Sequence, residues 1–235
     1  LAVEIHQNTK TSPDLSFNCS LTATTASPLP VLTRGPYLQS LSPSGVCIRW
    51  STNIACNSKV MYGTSLAYGA LKQDVNLVTD HSITLTGLNA ATKYNYNIGT
   101  TTYVIQGNAN NFFKTAPLTG TVTPVRIWAT GDFGTGTAAQ FAVRDAFAAY
   151  TLNSPANLWL WMGDNAYAAG YQSEYQSKVF DVYPEQFKNI PVFPCLGNHD
   201  YANVGYQSTS ALGTNFPYFS IFTVPTAAQS GGIAS

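Results

Sequence analysis

The chain has 235 residues, and its 11 Lys plus Arg balance 11 Asp plus Glu, for a formal net charge of zero. That balance gives no basic footprint for nucleic acid or an anionic membrane surface, and no apolar run approaches the ~20 residues that span a bilayer. Charged residues make up only 9% of the chain, against about 25% in an average soluble protein; solubility then rests on Thr, Ser, Asn and Tyr, which suits a secreted, extracellular protein.

The chain begins at Leu1, with neither Met nor a signal h-region, and reads as processed or partial. Residues 1–30 are rich in Thr, Ser and Pro and have no sustained periodicity, the composition of a low-order lead-in. Its Asn18-Cys19-Ser20 sequon permits glycosylation where the source glycosylates secreted proteins. The four cysteines, Cys19, Cys47, Cys56 and Cys195, allow three full pairings and form no C-x-x-C metal signature. Cys47 and Cys56 flank a predicted turn between two strands and are the best disulfide candidates. Cys195, in an apolar strand, is expected to be a buried thiol.

Residues 31–117 alternate in period two. "VCIRWST" turns Val46, Ile48 and Trp50 inward; Val60, Tyr62, Ile83, Leu85, Tyr94, Tyr96 and Ile98 continue the pattern in later runs. Short alternating strands broken by Gly, Asn, Ser and Pro predict an antiparallel sandwich. Leu88, Thr92 and Tyr94 resemble the corner of a fibronectin type III module, although core packing alone accounts for these tyrosines.

Residues 118–235 change texture, with strands alternating with helices. "PVRIWAT" is a predicted strand ending at Gly131-Asp132. A helix over 137–150 follows, with a Thr137/Gln140 capping box and Val143, Ala146, Phe147 and Tyr150 on its buried stripe. The apolar run "LWLW" is a strand expected to be covered on both faces, ending at Gly163-Asp164. A second helix is expected from Ser173, with Gln176 as its box partner and Val179 and Val182 inward. "IPVFPCL" is the third strand, ending at Gly197-Asn198-His199-Asp200; its prolines leave its register open. The fold class is thus β plus α/β, a sandwich followed by a βαβαβ unit whose right-handed connections put all three strand ends on one edge.

That edge is where open α/β sheets bind ligands. It receives Asp132 from "GDFG", Asp164 and Tyr167 from "GDNAY", and Asn198, His199 and Asp200 from "GNHD", each motif about one βα unit from the last. Two carboxylates, an amide oxygen and a phenol form a hard oxygen set that selects hard cations. Close carboxylates repel, and a pair of cations removes the conflict; Asp164, on the middle strand, is best placed to bridge them. Deprotonating the Tyr167 phenol at neutral pH costs about 4 kcal/mol, so phenolate ligation calls for a strong Lewis acid such as Fe(III). The bland alternatives are an Asp-Asn turn and a tyrosine packed beside it.

Taken in order, the three motifs resemble a purple acid phosphatase of the metallophosphoesterase superfamily, over residues 33–235. "FKTAP" at the end of the sandwich and "PYFSIFTVPTAAQSGGIAS" are also similar to that family. The resemblance implies a fibronectin III-like domain over 31–117 and the first half of the catalytic domain over 118–235. It implies a mixed centre of Fe(III) and a divalent Zn, Mn or Fe. Asp132 and Tyr167 would bind the Fe(III), Asp164 would bridge, Asn198 would bind the divalent ion, and His199 would contact the phosphate and protonate the leaving group. Asp200 is expected in a supporting role. The implied reaction is acid hydrolysis of phosphate monoesters by a metal-bound hydroxide, at a pH where an imidazole of ordinary pKa about 6.5 is still protonated. The phenolate separates this branch from phosphodiesterases of the superfamily.

The family also draws three histidine ligands from downstream V-x-x-H and G-H-x-H motifs. The histidines here are His6, His81 and His199, so the chain is expected to be an N-terminal portion, inactive alone, within a phosphate-monoester hydrolase. No nucleic-acid or membrane partner is expected. Two other readings stay open: a metallophosphoesterase acting on phosphodiesters or nucleotides, and a non-catalytic surface or binding module with a degenerate phosphatase domain.

Overall fold

Apolar residues at every second position build the first half of the molecule into an antiparallel sandwich. Its strands are β1 (Leu32–Gln39), β2 (Val46–Gly63), β3 (Ala70–Leu85), β4 (Lys93–Gly99), β5 (Val104–Gln106) and β6 (Phe112–Lys114). The computed structural model describes residues 28–152, 154–202 and 216–224, with Thr9 and Thr11 besides. Nearly all of the expected lead-in, with His6, Cys19 and the Asn18 sequon, lies outside the described residues, as does the tail beyond Val224.

The runs around Val46 and Val60, expected as separate strands, are one 18-residue strand. Register shifts between Ser51 and Cys56, and between Cys56 and Ser58, absorb the segment read as a turn. The first part of β2 pairs with β1 and the end of β3, and the last part with the start of β3 and with β4. This corrects the disulfide expectation. Cys47 and Cys56 lie along a single strand rising ~3.3 Å per residue, far beyond the Cα separation a disulfide tolerates, and both thiols are free. Cys195 is corrected too: the third parallel strand stops at Pro194, so the free thiol lies just past it and is exposed.

The inward set packs as expected. Val46, Ile48, Trp50, Val60, Ile83, Leu85, Tyr94, Tyr96 and Ile98 are buried in one cluster; Tyr62 is partly buried against it. The Tyr94 hydroxyl accepts the Asn89 N–H at 3.0 Å and pins the corner before β4. His81, fully buried, stacks on Trp50 with centroids 4.7 Å apart. The Thr52 hydroxyl donates to the Ile54 carbonyl, so it accepts from His81 Nε2–H at 2.8 Å; Ser58 then donates to Nδ1 at 2.8 Å.

The second half carries a parallel sheet in the order β7 (Ile127–Thr130), β8 (Leu158–Trp161), β9 (Val192–Pro194). Its helices are α1 (Ala138–Thr151), α2 (Gln172–Tyr175), which runs into a π-helical turn (Gln176–Phe180), α3 (Pro184–Phe187) and α4 (Pro217–Ile221). Among the described residues no helix is long and apolar enough to cross a membrane. Trp159 and Trp161 are buried, but Leu158 and Leu160 stay half-exposed. Phe147 of α1 stacks on Trp128 at 3.6 Å, and Tyr183 and Phe187 close on Trp159, so the helices gather on the tryptophan face. The expected cover on both faces of β8 is therefore incomplete.

The caps differ as well. Thr137 precedes α1 without a side-chain cap bond; Gln140 instead accepts the Gly136 N–H and donates to the Lys178 carbonyl. On α1 only Phe147 of the expected stripe is half-buried, while Val143, Ala146 and Tyr150 are exposed. The second helix starts one residue before Ser173, and Glu174, not Gln176, takes the Tyr171 N–H. Val179 and Val182 are buried as expected.

β1 joins the halves. Tyr37 packs in the aromatic core of the α/β part and donates to the Ile221 carbonyl, while its neighbour Leu38 belongs to the sandwich core. The Tyr96 hydroxyl reaches the Lys188 carbonyl at 2.8 Å.

Burial holds the His81 imidazole down at about 4, against a weaker upward pull from Asp80. The folded value lies below the ordinary 6.5, so the unfolded chain takes the proton first. His81 then contributes stability that is whole above about pH 6.5 and lost as pH falls through 4, amounting to about 3 kcal/mol. Urea unfolding between pH 7.5 and 4 should show that loss in the wild type and a flatter dependence in His81→Gln.

Candidate metal centre

Each parallel strand ends in a tight turn that presents polar side chains at one edge. Asp132 follows β7 and Asp164 follows β8, both in left-handed conformation, with φ of 55° and 50°; short acidic side chains tolerate this better than most. The glycines of the motifs let the loops touch. A Cβ on Gly197 would lie 2.1 Å from Asp164 Oδ1, and one on Gly163, itself at φ 95°, would lie 3.0 Å from the Gly197 Cα. The β8 and β9 loops therefore meet backbone against side chain.

The Tyr167 hydroxyl donates to Asp132 Oδ1 in a short contact and lies 3.2 Å from Asp164 Oδ2. One phenol proton thus faces two carboxylates. The hydrogen bond to Asp132, then partial burial and the Asp164 charge, push the phenol far above its ordinary range. On the other side, the His199 N–H donates to Asp164 Oδ1 at 2.9 Å. The His199 ring lies 4.6 Å from the Tyr167 ring, and its Nδ1 is 2.6 Å from the Ala168 carbonyl. A carbonyl only accepts, so Nδ1 carries the hydrogen and Nε2 is left for a ligand.

Asp132, Asp164, Tyr167 and His199 are thus brought together. Asn198 sits between Gly197 and His199, both of which touch Asp164, but its side chain is exposed and makes no hydrogen bond to Asp132 or Tyr167. Among the described residues no group of three or more His, Cys, Asp or Glu is arranged to hold a metal ion. A crevice of about 440 Å³ opens beside Asp132, walled by Phe133, Thr135, Thr137, Val143 and Tyr183.

Asp200 is fully buried and ties the loops together. It accepts the Asn165 N–H at 3.0 Å, the Asn165 amide at 2.9 Å, the Gly197 N–H at 2.8 Å and the Tyr175 hydroxyl at 2.7 Å. Burial pushes its carboxyl upward, and these donors pull it back only in part. Asn165 also donates to the Cys195 carbonyl, so β8 is laced to the end of β9. Sequence reasoning missed Asn165, although it stands beside Asp164 in "GDNAY". It missed the Glu174–Lys178 pair as well, whose i,i+4 spacing was the available signal.

Comparison with known proteins places this site in a family context. Residues 125–232 match the family model described as calcineurin-like phosphoesterase. Those residues, somewhat under half of the chain, are thus similar to the calcineurin-like phosphoesterase family. A solved structure of PhoD is similar at 13% identity and a TM-score of 0.55, over 77% of this chain and 41% of that one. At that identity the likeness concerns the fold alone, and this chain spans less than half the length of the PhoD chain. A fibronectin type III domain of the human KIAA0970 protein is similar over 40% of this chain and 78% of its own, at 15% identity and a TM-score of 0.29. No curated protein matches the chain. An antiparallel sandwich followed by a parallel sheet with helices is the architecture.

Removing a carboxylate that satisfies four donors strands them in a dry interior. Asp200→Ala should therefore cost about 3 kcal/mol, read as a drop in the urea midpoint, with Asp200→Asn intermediate.

Proposed function

We propose that this domain hydrolyses phosphate monoesters at a pair of metal ions, an Fe(III) and a divalent Zn, Mn or Fe. The observation that carries the reading is the Asp132–Tyr167–Asp164 cluster: two carboxylates on one phenol. Among the described residues no Lys or Arg pairs with either carboxylate. An unbalanced carboxylate pair wants a cation, and a phenol as third donor favours one acidic enough to displace its proton. The donor set fits a hard ion held by Asp132 and Tyr167, with Asp164 shared. Asn198 would serve the divalent ion, which needs further donors beyond those gathered among the described residues.

When bound, such a pair supplies Lewis-acid activation of water and neutralises charge on the phosphoryl oxygens. The chain's own residues supply orientation. The Ala168 carbonyl holds His199 Nδ1–H, so Nε2 is the nitrogen offered to the phosphate and, once protonated, to the leaving-group oxygen. The acid preference follows from that need for a protonated imidazole beside ionised metal ligands.

On the complete protein supplied with iron and zinc, a visible absorption band from tyrosinate-to-iron charge transfer should appear and vanish in Tyr167→Phe. Asp164→Asn should lower kcat on an aryl phosphate monoester by on the order of 10²–10³, as for loss of one preorganised charge. Faster turnover of a diester than of the monoester, assayed side by side, would overturn the substrate assignment.

A further inference from the structure

Two successive peptides of the loop after Tyr167 have every polar group held by just three side chains. In the Tyr167–Ala168 peptide, the N–H of Ala168 donates to Glu174 Oε1 and the carbonyl of Tyr167 accepts from Lys178 Nζ, both in short contacts. In the Ala168–Ala169 peptide, the N–H of Ala169 donates to Glu174 Oε2 at 3.0 Å and the carbonyl of Ala168 accepts from His199 Nδ1 at 2.6 Å. Glu174 and Lys178 also pair directly at 3.2 Å. The Tyr171 N–H, at 3.1 Å from Glu174, is the only one of these bonds that serves as a helix cap.

We infer that the Glu174–Lys178 pair is a positioning device that fixes the Tyr167 phenol and the His199 imidazole in one geometry, by clamping the two peptides that lie between them. This rests on the site reading above, in which both side chains act on the substrate or its metal ions. The pair is no ordinary surface bridge: the two side chains are only 17% and 30% exposed, so solvent screens them less than an exposed pair. Its bonds go to peptide groups next to the reactive residues, beyond anything α2 needs for its own end. Losing the carboxylate frees the Ala168 and Ala169 N–H groups together. The Ala168 carbonyl, the acceptor that sets the His199 tautomer, is then no longer fixed.

Imidazole ¹⁵N NMR of the metal-free protein at pH 8 tests this apart from any activity, with His199→Gln assigning the signal and buried His81 reporting an intact fold. The wild type should show His199 with hydrogen on Nδ1. In Glu174→Gln, whose amide sets an N–H against the loop's donors, His199 should move to a mixture of tautomers while the His81 signal stays put. Lys178→Met should move it in the same direction by less. In the complete metal-loaded protein, Glu174→Gln should lower kcat by about tenfold or more with KM within twofold, the scale of lost outer contacts at a metal site. A His199 signal unchanged in Glu174→Gln overturns the inference whatever the activity. A shifted tautomer in a protein that hydrolyses no phosphoester upholds the positioning role and defeats the functional reading instead.

Discussion

Two like charges at the ends of neighbouring strands govern this molecule. β7 and β8 run parallel and in register, so Asp132 and Asp164 emerge side by side, and their repulsion has to be answered locally. One phenol proton answers it, shared unequally between Asp132 and Asp164. Such an arrangement holds only if the backbone keeps the three groups in place. The left-handed turns, the glycines at 163 and 197 and the dense hydrogen bonding around them are what that restraint looks like.

The restraint is built in two tiers. Asp200, buried below the site, draws Asn165 and Gly197 inward and sets the spacing between the β8 and β9 loops. Glu174 and Lys178, on the helix beyond, hold the peptides that carry Tyr167 and orient His199. Both tiers use a carboxylate to collect N–H groups that turns leave unpaired, an economical way to stiffen irregular backbone. Hydrophobic packing fixes the strands, and these two acids fix what the strands present.

Much of this was legible in residue order. Alternation over Val46, Ile48 and Trp50 is a local signal that predicted the burial found, and the Gly-led motifs marked the ends of β7 and β8, whereas β9 stops at Pro194, short of its motif. Errors arose where distant contacts decide the outcome. The register shifts that carry β2 through Asn53–Asn57 come from pairing with β3, which no local turn signal reveals. The Thr137 cap failed because Gln140 bonds to the Lys178 carbonyl, and the Ser173 cap because the helix starts one residue earlier, where Glu174 takes the Tyr171 N–H. Helical periodicity on α1 predicted a buried stripe, but periodicity says nothing of what covers a helix, and only Phe147 of that stripe meets the sheet. Asn165 and Lys178 were invisible as site residues because their roles lie in what they hold up.

Consider finally β1, where Tyr37 and Leu38 point to opposite sides into two different cores. One strand is thereby a party wall, with tenants on both faces. The linker near residue 118 divides the chain by topology, but a cut there would strip the aromatic layer around Phe180, Phe187 and Phe222 of its Tyr37 neighbour. The sandwich is therefore a structural component of the α/β half, and the two should melt as a single cooperative unit instead of parting like beads on a string.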